Sequence, residues 1–368
     1  MTPPRRLLIR GVNWLGDAVM TTPALLRLHE RFPHTHIALL SPAKLAGLWP
    51  AHPAIHETLD FAPRESVLSV ARRLRRQAFD TALILPNSPR AAFECWLARI
   101  PVRVGYPRRF RSWSLTQVVP DRSDRVPMTK PTRSEIQQRL QHPPPLAERR
   151  PPPRAHHLHD YLHLAAALGA NPEPLPPRLA VTEAETAEVR ARFQLHPDTP
   201  WIALNPGAEY GPAKRWPATH FTQVAHQIHR LHPRVRWIIL GGPNDVPIAE
   251  VIHRSVPHSV LLAGRTSLRQ LMAVLGLCEV VLTNDTGPMH VAAAMGTRVV
   301  VPFGSTSPEL TGPGLPGDPR HRLVRADTPC APCFLRECPI DFRCMNGISP
   351  EMVGQAVLEA LAPRLPTE

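Results

Sequence analysis

The sequence predicts an α/β protein with two doubly wound parallel sheets, one in each of two domains. Short apolar strands alternate with helical patterns along most of the chain, which is typical of βαβ units. The 368 residues suffice for two domains of ordinary size, and the proline-rich stretch 172–177 is typical of a hinge. We therefore expect a first domain over residues 1–175 and a second over residues 178–368.

Apolar runs and capping residues place the elements of the first domain. Thr22 and Pro23 predict a helix start, because proline is favoured at the first helical position. The predicted strands cover residues 7–10, 37–40 and 81–85, and the predicted helices cover residues 22–31, 90–99 and 158–168.

Residues 120–155 interrupt this pattern with Pro, Arg, Gln and His and with few apolar residues. Such a composition cannot bury a core, so we expect a mobile insertion within the first domain. The histidines near its end fit a solvated helix start better than a metal site; they are His156, His157, His159 and His163.

The second domain repeats the alternation of strands and helices. Ser267 and Gln270 form a capping box for a helix that runs to Leu277. The predicted strands cover residues 202–205, 235–240, 260–262, 280–283 and 299–302, and the predicted helices cover residues 218–231, 247–255 and 267–277.

The run from Thr283 to His290 is the most informative motif. A buried strand breaks into Asn-Asp-Thr-Gly-Pro and reopens as an apolar helical pattern at Met289. Free backbone N–H groups and the helix dipole both favour an anion at such a turn, and phosphate is the usual one. The alternative is an ordinary capped helix in which Asp285 and Thr286 serve only as caps.

Three further turns follow predicted strands. Gly11-x4-Gly16-Asp17 lacks the lysine of a P-loop, so Asp17 is either a base acting on an acceptor hydroxyl or a helix cap. Lys214, beyond Asn205-Pro206-Gly207, can neutralise a diphosphate leaving group, and Asp245, beyond Gly241-Gly242-Pro243, can accept hydrogen bonds from ribose. Together with the Thr283–His290 turn, the turns of the second domain predict one nucleotide pocket.

The formal net charge of +13 indicates acidic partners. No nucleic-acid-binding motif is present, whereas an anionic lipid surface fits this charge. The alternative is that the arginines are simply solvated faces; they cluster in the first half as Arg72, Arg73, Arg75, Arg76, Arg103, Arg108, Arg109 and Arg111.

The longest apolar runs have strand length, far below the roughly 18 residues of a spanning helix. The first ten residues are too short and too basic for a secretory signal, so we expect a cytoplasmic protein. In that compartment, the cysteine cluster is either a reduced loop or a structural zinc site; its members are Cys330, Cys333, Cys338 and Cys344.

Taken together, these motifs resemble the ADP-heptose:lipopolysaccharide heptosyltransferases, glycosyltransferase family nine. The resemblance covers nearly the whole chain apart from residues 120–155. The segments that carry it are Gly16-Asp17-Ala18-Val19-Met20-Thr21-Thr22-Pro23, Asn205-Pro206-Gly207, Lys214-Arg215-Trp216-Pro217, Gly241-Gly242-Pro243, Asn284-Asp285-Thr286-Gly287-Pro288-Met289-His290 and the cysteine-containing tail.

The resemblance implies a GT-B fold, with two Rossmann-like domains facing each other across a cleft. It implies inverting, metal-independent transfer of heptose from ADP-heptose to the inner-core heptose of a heptosyl-Kdo2-lipid A type acceptor, at the inner face of the cytoplasmic membrane. Asp17 is then the general base. The implied donor contacts are Lys214, Asp245, Asp285, Thr286, Gly287, Pro288 and His290, and the implied acceptor contacts are Asn87, Ser88, Arg90, Arg72 and Arg76.

Two enzyme alternatives remain open at this point. The first is a related family-nine transferase that uses another acceptor or donor sugar. The second is a GT-B-fold nucleotide-sugar epimerase, which would turn over the sugar nucleotide without an acceptor.

Overall fold

The computed structural model describes residues 3–362, without the side chains of residues 147 and 148, and it confirms the α/β class. In chain order the elements are β1 (Arg6–Arg10), α1 (Leu15–Met20), α2 (Thr22–Arg31), β2 (His36–Pro42), β3 (Glu57–Phe61), α3 (Val67–Arg76), β4 (Thr81–Ile84), α4 (Pro89–Leu97), β5 (Val102–Gly105), β6 (Gln117–Val118), α5 (Arg133–Gln141), α6 (Leu146–Arg149), α7 (Leu158–Ala166), α8 (Glu183–Phe193), β7 (Trp201–Asn205), α9 (Ala218–Leu231), β8 (Arg236–Ile239), α10 (Val246–Ser255), β9 (Ser259–Leu261), α11 (Leu268–Gly276), β10 (Val280–Thr283), α12 (Gly287–Ala294), β11 (Arg298–Pro302), α13 (Pro308–Thr311), β12 (Arg322–Val324), α14 (Arg343–Asn346) and α15 (Pro350–Leu361).

The first unit comprises the residues up to Arg125 together with His156–Ala180. Its six strands are all parallel, in the order β3-β2-β1-β4-β5-β6. The central strands β1 and β4 are nearly continuous apolar runs, because helices cover both faces of a parallel sheet. The carboxyl ends of these strands form the edge where ligands bind in such folds.

The second unit has the same architecture, with six parallel strands in the order β12-β11-β10-β7-β8-β9. Its core contains Trp216, Phe221 and Trp237, all fully buried. The central strand β10 pairs with β7 and β11, so the turns that follow these three strands meet at one sheet edge.

Residues 126–155 differ from the expectation. They belong to the second unit rather than the first, and they contain α5, which begins with a capping box of Thr132 and Glu135. Ile136 on this helix is 1% exposed and packs with Cys330 and Cys333. The average composition predicted a mobile insertion and missed this helix, because the few apolar residues that dock it, Ile136 and the partly buried Leu140, do not change that average.

Within residues 3–362, no helix is both long enough and apolar enough to cross a membrane.

Candidate functional site

The turn after β10 leads directly into α12, as the sequence predicts. Thr286 is the N-cap residue, yet its side chain makes no capping hydrogen bond. Asn284 and Asp285 are buried, whereas Thr286, Gly287 and Pro288 are partly exposed. Pro288 lacks an N–H, so the amides of Thr286 and Gly287 are the anion-binding donors that the helix start can offer. The alternative of a helix start capped by the Thr286 side chain is wrong.

Asp285 holds Lys214 at this turn. The Lys214 ammonium lies 2.7 Å from Oδ2 of Asp285, and the Thr306 hydroxyl donates to the same oxygen at 2.5 Å. The side chains of Lys214 and Asp285 are 15% and 5% exposed, so water screens this ion pair little. Thr306 was not foreseen, although it follows β11 within the polar run Ser305-Thr306-Ser307.

Asn284 ties the turn after β10 to the loop after β7. Its Oδ1 accepts a hydrogen bond from the Trp216 amide at 3.0 Å, and its Nδ2 donates to the Pro206 carbonyl at 2.7 Å. Because Trp216 is fully buried, this link fixes the segment that carries Lys214. Asn284 therefore has a positioning role that the motif alone did not reveal.

His290 lies one turn into α12 and is 5% exposed. The pKa of His290 is lowered to about 4, chiefly by burial; the charge of Asp285 opposes this shift, and the charges of Lys214 and His321 add to it. The imidazole is therefore neutral at pH 7. It can offer a hydrogen bond to a ligand, but it adds no positive charge to the site.

Asp245 lies where the loop after β8 meets the loop after β7. Its Oδ2 accepts a hydrogen bond from the Gly242 amide at 3.0 Å. A Cβ on Gly207 would stand 2.2 Å from that oxygen, so only glycine permits this approach. The two loops thus form one surface, and the carboxylate is half-buried within it.

In the first unit, Asp17 lies in the first turn of α1, where Trp14 is the N-cap residue. The Tyr161 hydroxyl, on α7, is 3.4 Å from Oδ1 of Asp17. Burial and the Asp17 charge raise the pKa of Tyr161 well above its usual value, so this phenol stays protonated and acts as a donor. Tyr161 was not predicted, because a tyrosine 144 positions away carries no local signal.

The expected acceptor contacts fall on two neighbouring helices of the first unit. Ser88 caps α4, with its hydroxyl accepting from the Ala91 amide at 3.4 Å. Arg90 donates to Oε1 of Glu94 at 2.8 Å and to the Glu65 carbonyl at 2.6 Å. Asn87 precedes this cap and is exposed, as are Arg72 and Arg76 on α3.

The four clustered cysteines lie around one pocket. Among residues 3–362, no group of three or more His, Cys, Asp or Glu side chains is arranged to hold a metal ion. Cys330, Cys333 and Cys344 are buried thiols, and burial raises the pKa of Cys330 to about 11 and that of Cys344 to about 12. The reduced loop and the structural zinc site both stay predictions, and a zinc ion would need deprotonated thiolates from these cysteines.

Known proteins resemble this chain over most of its length. The family model described as Glycosyltransferase family 9 (heptosyltransferase) matches residues 137–342. Lipopolysaccharide heptosyltransferase 2 of Salmonella typhimurium is 28% identical over 326 residues, which cover 84% of this chain and 85% of that protein. Lipooligosaccharide heptosyltransferase 2 of Haemophilus influenzae is 29% identical, with 83% and 85% covered.

Solved structures agree with these relatives. The E. coli ADP-heptose lps heptosyltransferase II superposes with a TM-score of 0.76 and 26% identity, covering 97% of this chain and 98% of that one. A family 9 glycosyl transferase from Veillonella parvula, at 22% identity and a TM-score of 0.77, covers 97% of both chains and supports the fold. The expected GT-B fold class is confirmed, and the chain is a glycosyltransferase that belongs to family 9, the heptosyltransferases.

Proposed function

We propose that this chain transfers L-glycero-D-manno-heptose from ADP-heptose to the inner-core heptose of lipopolysaccharide, as a heptosyltransferase II. The observation that carries the proposal is the likeness to E. coli heptosyltransferase II over 97% of the chain. The turn after β10 adds a chemical reason, because a helix start, a partly buried lysine and a neutral histidine suit a nucleoside diphosphate.

In this proposal the second unit binds the donor. The amides of Thr286 and Gly287 hold the diphosphate, and Lys214 stabilises the charge that develops as ADP leaves. Asp285 keeps Lys214 at the turn, Pro288 fixes the helix start, and His290 donates a hydrogen bond. Asp245 accepts hydrogen bonds from the ribose hydroxyls with the carboxylate oxygen that does not cap Gly242.

Asp17 is the general base. It accepts the proton of the attacking acceptor hydroxyl as that oxygen bonds to the anomeric carbon and the bond to the β-phosphate oxygen breaks. Attack from the face opposite ADP inverts the anomeric configuration. The protonated Tyr161 donates to Asp17, which orients the carboxylate before the proton transfer. No step requires a metal ion.

The acceptor, of the heptosyl-Kdo2-lipid A type, carries carboxylates and phosphates. Asn87, Ser88 and Arg90 contact it at the carboxyl edge of the first sheet, and Arg72 and Arg76 attract it over a longer range. Because the acceptor is anchored in a bilayer, the enzyme acts in the cytoplasm, peripheral to the inner face of the cytoplasmic membrane.

Transfer from ADP-heptose to core acceptors that carry no heptose or one heptose, with EDTA present, tests this proposal. We expect transfer only to the one-heptose acceptor. Asp17→Asn should lower kcat by about 10²–10⁴, the usual contribution of a general base. Asp198→Asn, in an exposed loop of the second unit, is the matched control and should leave kcat unchanged.

Other results would reject parts of the proposal. Transfer to the acceptor without heptose would assign a different acceptor, and full activity in Asp17→Asn would remove Asp17 as base. Consumption of ADP-heptose without any acceptor would favour an epimerase.

A further inference from the structure

The first unit exposes several large aromatic side chains on adjacent elements. Trp96 ends α4 at 42% exposure, and Trp113 lies in the 3-10 turn Ser112–Ser114 at 60% exposure. Their ring centroids are 5.0 Å apart in a T-shaped pair, and Phe93 lies 5.3 Å from Trp113. Phe110, three residues before Trp113, is 65% exposed. We call Phe93, Trp96, Phe110 and Trp113 the aromatic cluster.

The fold does not need this cluster for its core. The inward face of α4 is supplied by small residues, Ala91, Ala92 and Cys95, which are fully buried. Trp96 lies at the flank of this buried face and is 42% exposed, so much of its ring is not used by the core. The cluster leaves roughly 300 Å² of aromatic surface in water, which is comparable to the largest apolar patch of a typical monomer, a patch that is often functional.

Positive charge surrounds the aromatic cluster. The Arg109 guanidinium lies over the Phe110 ring at 4.5 Å, and the exposed Arg99 follows α4 three residues after Trp96. The ion pairs of residues 3–362 give neither arginine a carboxylate partner. Glu94, the nearest acid in sequence to Trp96, is buried between Arg10 and Arg90.

Helix α3 packs against α4 and extends the positive surface with the exposed Arg72, Arg75 and Arg76. Exposed aromatic residues bordered by arginines match the interface of an anionic bilayer, where tryptophan lies at the headgroup level and arginine contacts phosphate. Single-stranded nucleic acid fits less well, because it needs open ring faces for stacking. Here Trp96 and Trp113 pack on one another, and Arg109 covers one face of Phe110.

We propose that the aromatic cluster, with Arg99 and Arg109, docks the first unit on an anionic phospholipid bilayer. The proposal deepens the proposed function and rests on it for the lipid-anchored acceptor. Strands β4 and β5 pair up to Ile84 and Gly105, so the loops with Asn87 and with Arg109 leave the same sheet edge. The Arg109 loop of the cluster therefore lies at the same sheet edge as the expected acceptor contact Asn87, whereas Trp96, in the last turn of α4, lies toward the opposite edge.

Vesicle co-sedimentation without any substrate tests the docking surface. Wild-type protein should bind vesicles of phosphatidylcholine with phosphatidylglycerol and should bind phosphatidylcholine alone far more weakly. The double variant Trp96→Gln, Trp113→Gln should bind at least about tenfold more weakly. Arg99→Gln and Arg109→Gln should each weaken binding about fivefold and reduce its dependence on salt.

The matched control is the double variant Leu231→Gln, Val251→Gln, which replaces exposed apolar residues of 59% and 56% on the second unit. It should bind vesicles like the wild type. Brominated lipids provide a second readout, since they should quench the fluorescence of the wild type more than that of Trp96→Gln, Trp113→Gln. Equal Tm values of all variants would establish that the substitutions do not unfold the chain.

Unchanged vesicle binding in Trp96→Gln, Trp113→Gln would overturn the proposal. So would a wild-type dimer that these substitutions dissociate in sedimentation velocity, because a second copy would then be the occupant. Transfer to a deacylated, water-soluble acceptor separates the two proposals. Loss of that transfer in the wild type would reject the heptosyltransferase assignment and leave the vesicle result standing.

Discussion

A buried carboxylate joins the first strand to α4, the helix beside the expected acceptor contacts Asn87, Ser88 and Arg90, and its removal should destabilise the first unit. Glu94 is fully buried, with its two oxygens 2.8 Å from Nε of Arg10 and 2.8 Å from Nε of Arg90. Arg10 is 1% exposed, lies over the Phe61 ring at 4.4 Å and donates to the Gly11 carbonyl at 2.7 Å. Glu94→Gln keeps the shape of the side chain but removes its charge.

The expected cost follows from the burial of each partner. Breaking a buried ion pair by changing one member costs about 3–5 kcal/mol, because the remaining charge has no compensation. Arg10 cannot reach water without separation of β1 from α4, so Glu94→Gln should fall in this range. The Arg90 side chain is 36% exposed, so Arg90→Met should cost below about 1 kcal/mol. Replacing both Arg10 and Glu94 with Met should cost less than Glu94→Gln alone.

Native-state hydrogen exchange measures this prediction, because a two-unit chain does not guarantee two-state unfolding. The opening free energy of the amides of Leu7, Leu8 and Ile9 in β1 is compared among the wild type and the three variants. A loss under about 1 kcal/mol in Glu94→Gln, or a double variant that is less stable than Glu94→Gln, would refute the reasoning.

Three further predictions concern the second unit. Lys214→Met should raise the Kd for ADP, measured by calorimetry, at least about tenfold. Lys130→Met is the control and should leave the Kd unchanged, although both lysines lie over the Tyr210 ring. An unchanged Kd in Lys214→Met would exclude Lys214 from the phosphate site. The pKa of His290 is about 4 in the folded protein, against an ordinary value of 6.5 for the unfolded chain. The unfolded chain therefore binds a proton first, so the free energy of unfolding is highest above pH 6.5 and decreases as the pH falls toward 4. At pH 5 the free energy of unfolding should be about 2 kcal/mol lower than at pH 7.5. The urea midpoint of the second unit should fall accordingly, and it should fall less in His290→Gln. An equal fall in that variant would assign the effect to other groups. Ile136→Ala should weaken the packing of α5 by about 2–4 kcal/mol and accelerate hydrogen exchange across residues 126–155. Gln137→Ala, at an exposed position of the same helix, is the control. Equal exchange rates in the two variants would show that Ile136 does not hold the segment.

The strands with continuous apolar runs could be predicted from the sequence, as could the edge strand β9, whereas the edge strands β3 and β12 could not. The run 202–205 corresponds to β7, Trp201–Asn205, because a strand covered on both faces is a continuous apolar run. At the edges, β3 reads Glu-Thr-Leu-Asp-Phe and β12 reads Arg-Leu-Val. Only part of such a strand is buried, so its sequence does not differ clearly from that of a loop.

The site shows the same division between local and distant signals. The helix start at Gly287 was predictable, because a buried strand followed by Asn-Asp-Thr-Gly-Pro is a local pattern. Thr306 and Tyr161 were not, because each reaches the site from another element and only tertiary packing sets the pairing. The sequence analysis missed α5 for a related reason, since the average composition of residues 126–155 conceals Ile136.

The balance of charge at the turn after β10 explains why the Asp285 carboxylate can be buried there. The helix start favours an anion, yet Asp285, directly before it, would repel one if it stood alone. Lys214 cancels that charge at 2.7 Å, and the Thr306 hydroxyl occupies the same oxygen. Since His290 is neutral at pH 7, the field that remains is that of the helix amides with a lysine held beside them. Asp285 therefore serves to position Lys214. In the proposed donor site, a diphosphate would meet a cation that is ordered before binding, so less conformational entropy would be lost when the donor binds.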